Sequence, residues 1–126
     1  MHTFDDLKEI VEVLRSDRGC PWDRMQTLES LKPYLVEESG EVLEAIDNHD
    51  MENLCEELGD VLYQVMIQSQ IAREQGLFTV EDVIDGLCEK MIRRHPHVFG
   101  GAVACTPEES LDLWNEMKKQ EKAKKT

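Results

Sequence analysis

The sequence predicts an all-α fold, an antiparallel bundle of about four to five helices, with the central helices as the candidate surface for oligomerising. Three observations carry that prediction. Apolar residues recur at helical spacing in run after run, the breaks between runs are short and hold Gly, Pro, Asn or Asp, and no stretch of any length alternates with the period of a strand. At 126 residues the chain is long enough for one core and too short for two. The expected division is a helical domain over 1–117 and a Lys-rich C-terminal tail over 118–126.

Residues 3–16 form an amphipathic helix, with Thr3 as N-cap and Phe4, Leu7, Ile10, Val11 and Leu14 on one face. The segment Arg18-Gly19-Cys20-Pro21-Trp22-Asp23-Arg24 is then a loop, in which Trp22 either plugs the core or belongs to a cover over a bound ligand. Thr27 caps the next helix, which takes Pro33 in its first turn or at a kink and runs to about Asp47. Asn48-His49-Asp50 is a short polar connection, so a helix over about residues 51–75 folds back antiparallel as a hairpin. Between Leu58 and Met66 that helix is apolar on most sides, which suits the centre of a bundle or a subunit interface.

Gly76 ends it, and Thr79 caps a helix with Asp82 in the capping-box position and Val83, Ile84, Leu87, Cys88, Met91 and Ile92 as its apolar face. Lys90, Arg93 and Arg94 crowd its last turns before Pro96. Cations there either answer the helix dipole or hold phosphates, and spacing leaves both readings open. Thr106-Pro107-Glu108-Glu109 starts a final helix carrying Leu111, Leu113, Trp114 and Met117, which frays in KKQEKAKKT.

Two acidic clusters, Glu37-Glu38-Ser39-Gly40-Glu41 and Glu56-Glu57-Leu58-Gly59-Asp60, interrupt the apolar runs of the hairpin. On a helical wheel Leu31, Leu35, Val42, Ala45 and Ile46 share a face with Glu38 in its middle and Glu41 on its margin. In the second helix Leu54, Leu58, Val61, Val65 and Ala72 form the stripe, with Glu57, Asp60 and Gln64 along one edge. A carboxylate turned toward a core costs several kcal/mol unless it is paired or bound to a cation. The i, i+3 pairs Glu38/Glu41 and Glu57/Asp60, on antiparallel helices, aim four carboxylates at one point, and all-oxygen cages suit Mg²⁺ or Mn²⁺.

A net charge of −13 argues against general binding to nucleic acid or anionic membrane. The expectation is a cytoplasmic protein: the N-terminus lacks a secretory signal, and Cys20, Cys55, Cys88 and Cys105 are too dispersed for a disulfide framework or a zinc site. A di-iron carboxylate bundle would require Glu-x-x-His, which does not occur.

The acidic motifs Glu37-Glu38-x-x-Glu41 and Glu57-x-x-Asp60 resemble the signature of the MazG-type nucleoside triphosphate pyrophosphohydrolases of the all-α pyrophosphatase superfamily. So do Gly19-Cys20-Pro21-Trp22-Asp23 with Gln26-Thr27, the run from Glu89 to Gly100, and Trp114-x-x-x-Lys118, over about residues 4–122. The resemblance implies an α-helical homodimer or higher homo-oligomer that hydrolyses NTPs or dNTPs to the monophosphate and pyrophosphate with Mg²⁺. It implies Glu38, Glu41, Glu57 and Asp60 as metal ligands, Lys90, Arg93 and Arg94 at the phosphates, and Trp114 by the nucleotide, with Trp22 as a further candidate there. Glu37 or Glu56 is then the spare carboxylate that takes the proton of the attacking water. Alternatives within this frame are a base-selective dUTP or dCTP pyrophosphatase, a phosphoribosyl-nucleotide pyrophosphatase, and a non-catalytic helical regulatory module.

Overall fold

The computed structural model describes residues 1–125, and among them every regular element is a helix. In order these are α1 (Phe4–Leu14), α2 (Pro21–Met25), α3 (Leu28–Asp47), α4 (Met51–Glu74), α5 (Val80–Arg93), α6 (Pro96–Phe99) and α7 (Pro107–Lys125). The five long helices are those the apolar periodicity predicts; α2 and α6 are short turns that each begin on a proline, whose fixed φ suits a first helical position. The chain divides into two compact units, Met1–Val80 and the residues from Glu81 onward.

In the first unit α3 and α4 pair as the predicted hairpin. Thr27 caps α3 reciprocally with Ser30, and Asp50 caps α4 by accepting from the Asn53 amide. The connection is a Schellman turn: Asp50 N–H bonds Ala45 O, His49 N–H bonds Ile46 O, and His49 takes a φ of 53°. Gly76, at φ 70°, closes α4 the same way, with Leu77 N–H on Ala72 O.

The core gathers Val11, Leu31, Met66, Ile67, Ile71 and Val80, with Leu7, Leu28 and Tyr63 packed against it. Its placement corrects the wheel reading of α4. Of the stripe Leu54, Leu58, Val61, Val65 and Ala72, only Ala72 is buried, while Leu58 and Val65 are exposed. The buried side instead runs through Gln64, Ile67 and Ile71, in line with Glu57 and Asp60. A helix apolar on most sides does not say which side its partner covers, and here α3 covers the side bearing the acids. On α3 Leu31 and Ala45 are buried as expected, but Leu35 and Ile46 are exposed.

In the second unit α5 leaves Ile84, Leu87, Cys88 and Ile92 exposed and half-buries Val83 and Met91. Helix α7 continues through the segment expected to fray, as far as Lys125. Thr106 starts it by accepting from the Glu109 amide, and the Glu109 carboxylate accepts in turn from Cys105 N–H.

Candidate active site

Glu38 and Glu41 on α3 and Glu57 and Asp60 on α4 each offer a carboxylate oxygen, and the four oxygens lie within 4.8 Å of one another. Three of the residues are half-buried and Asp60 is exposed. Glu38 Oε2 and Glu57 Oε2 are buried without a hydrogen-bond partner. Burial, then the charges of Glu41 and Asp60, push the Glu38 carboxyl above its usual range. A hydrogen bond with Glu41, then burial and the charges of Glu41, Asp60 and Glu38, raise Glu57 to about 7. Orphaned buried oxygens and mutual repulsion are the marks of a site short of positive charge, and an all-carboxylate set suits a hard divalent cation. The residues present therefore fit the metal that their spacing predicts.

Of the two candidate bases, Glu37 and Glu56, both are exposed. The Glu37 charge is felt at Glu38, raising its carboxyl.

The segment before α3 differs from expectation. Trp22 does not plug the core; it is 45% exposed and meets Tyr34 edge-on at 5.6 Å between ring centres. The buried residue of this segment is Asp23, whose carboxylate accepts from the Tyr63 hydroxyl of α4. The Arg15 guanidinium, at the end of α1, gathers the carbonyls of Asp23 (2.6 Å), Arg24 (3.3 Å) and Gln26 (3.0 Å) and pairs with Glu74 at 2.7 Å. Gln26, also buried, donates to Trp22 O and accepts from Ser30. A β-carbon on Gly19 would stand 2.1 Å from Leu14 O, so only glycine fits that turn. Sequence reading missed this network because carbonyl acceptors leave no trace in residue type. The only available signal was an arginine at the end of an apolar helical stripe.

In the second unit Arg93 and Arg94, at the end of α5, both donate to Glu121 of α7, Arg94 through Nη2 at 2.8 Å and Nε at 3.2 Å. The Arg94 guanidinium also lies over the Trp114 ring, 4.8 Å from its centre, and His95 meets that ring edge-on at 5.5 Å. Lys90 is half-buried. Glu121 lies in the segment expected to be a tail, which is why it was missed.

The model of the MazG nucleotide pyrophosphohydrolase domain matches residues 26–99. This chain belongs to the MazG family. The match takes in the four clustered acids with Lys90, Arg93 and Arg94, and leaves Trp22 and Trp114 outside. A nucleoside triphosphate pyrophosphohydrolase/pyrophosphatase MazG of Thermotoga maritima is 57% identical over 97% of this chain and 46% of its own length. The nucleoside triphosphate pyrophosphohydrolase of Escherichia coli K12 is 42% identical over 99% of this chain and 48% of its own. The chain thus spans about half the length of these MazG relatives. A crystal structure of a MazG-related protein from Thermotoga maritima superposes with a TM-score of 0.74 at 36% identity, covering 91% of this chain and 98% of that one.

Proposed function

We propose that this MazG chain hydrolyses nucleoside triphosphates, ribo or deoxy, to the monophosphate and pyrophosphate in a Mg²⁺-dependent reaction that Mn²⁺ also supports. The observation that carries the proposal is the convergence of Glu38, Glu41, Glu57 and Asp60, with two buried oxygens lacking partners. These four residues would hold the cation. When bound, it supplies positive charge that offsets the phosphates and makes water a better nucleophile.

The chain's own groups do the rest. Lys90, Arg93 and Arg94 bind the phosphate oxygens and stabilise the charge that builds on the leaving pyrophosphate, a task suited to the planar guanidinium fork. Trp114 and Trp22 offer aromatic surface to the nucleoside. Glu37, adjacent to the cluster, or Glu56 accepts the proton of the attacking water. The exposed apolar residues of the hairpin, Leu43, Leu58, Leu62 and Val65 among them, are the surface through which we expect a homodimer or higher homo-oligomer to form. Housekeeping of the nucleotide pool in the cytoplasm is the role that follows. No described helix is long and apolar enough to cross a membrane.

The test is pyrophosphate release from a panel of NTPs and dNTPs with and without Mg²⁺. Glu38→Gln or Asp60→Asn is expected to lower kcat/KM by at least about 100-fold while the helical circular dichroism is retained. Full activity in either variant removes the metal assignment. Turnover confined to one pyrimidine dNTP would make the enzyme base-selective, and no turnover on any substrate would make the chain a regulatory module.

A further inference from the structure

We infer that Glu121 is a positioning residue that sets Arg93 and Arg94 for phosphate binding. The inference rests on the assignment of the two arginines to the phosphates.

Three observations carry it. Glu121 reaches both arginines at once, one carboxylate oxygen on Arg93 Nε and the other on Nε and Nη2 of Arg94. In each guanidinium Nε is one of the donors, and Arg94 adds Nη2. Arg94 is held on a second side as well, its face against Trp114 at 4.8 Å. A long side chain carries large rotamer entropy, and fixing it before the ligand arrives removes that cost from the binding step.

Burial supports the same reading. The Arg94 side chain is 14% exposed and that of Glu121 18%. A guanidinium so far withdrawn from water requires a carboxylate beside it. The hydrogen bond from Arg94, followed by that from Arg93, holds Glu121 ionised, with its pKa drawn down to about 2. One carboxylate against two guanidinium groups leaves a net positive charge, so the trio still attracts a polyanion.

The experiment uses the full chain, with steady-state NTP hydrolysis in Mg²⁺ and calorimetric binding of pyrophosphate. Glu121→Ala is expected to raise KM and weaken pyrophosphate binding by about tenfold each while kcat stays within about twofold, since a displaced side chain alone costs on this scale. Glu121→Gln keeps an acceptor oxygen and should recover part of the loss, and it decides the matter if Glu121→Ala fails to fold by circular dichroism. KM and pyrophosphate affinity within about twofold of the parent in both variants overturn the inference, as does tighter pyrophosphate binding, which would mark Glu121 as a competitor. Arg94→Ala, run alongside, separates the two levels. If it raises KM while the Glu121 variants do not, only the positioning role falls; if it leaves KM unchanged, the phosphate assignment falls and takes the positioning role with it.

Discussion

Glu57 is the residue in which the conflict between folding and function is most concentrated. A carboxyl whose folded-state pKa stands above its unfolded value is a liability to the fold once ionised. For Glu57, raised from the ordinary 4.5 to about 7, the sign is that stability of the metal-free protein increases as pH falls through about 7 toward about 4.5, the reverse of an ion-paired acid. Urea denaturation at pH 8 and pH 6 in chelator should show the lower midpoint at pH 8, and Glu57→Gln should flatten the difference. Cation uptake has the opposite slope, because ligation requires the ionised form. Calorimetric Mg²⁺ or Mn²⁺ affinity should therefore weaken as pH drops below about 7, with protons released on binding.

At the scale of elements, the hairpin and the short helix before it are joined by groups that apolar periodicity does not describe. Arg15 serves three carbonyls and Glu74, so Arg15→Ala strands buried acceptors as well as a carboxylate. A loss of about 2 kcal/mol or more in chemical denaturation is expected. Gly19→Ala meets the Leu14 carbonyl and has no flexible neighbour to push aside, so it should lower the melting temperature more than a Gly40→Ala control, which meets nothing within 4 Å. A stable Gly19→Ala protein would show that the turn has room to move. Both effects belong to the frame that presents Trp22 beside Tyr34, one helical turn before Glu38.

For the whole molecule, the described chain leaves Leu35, Leu43, Leu58, Leu62 and Val65 of α3 and α4 exposed, apolar surface that association would remove from water. Light scattering is expected to give a homo-oligomer, and Leu62→Glu, which puts a charge among Leu58 and Val65, should shift it to monomer. Retention of the parent mass in Leu62→Glu would place the interface elsewhere. Divalent cation at about 100 times its Kd should raise unfolding stability by about 2.7 kcal/mol, and this gain should vanish in Asp60→Asn.

The sequence by itself determined the five long helices, their caps at Thr3, Thr27 and Thr106, the hairpin and the four acids that converge. Each of these is local or periodic: a cap is a contact over three residues, and an i, i+3 pair of acids on each arm needs only the turn between them to meet. Tertiary structure alone decided which side of α4 is covered, since a helix apolar on most sides carries no preference until α3 lies against it. It also decided that Asp23 is buried while Trp22 is exposed, because a distant tyrosine hydroxyl and an arginine's donors satisfy that segment. Glu121 belongs with these. Its meaning comes from two arginines 27 and 28 positions away, and no period or propensity encodes a separation of that length.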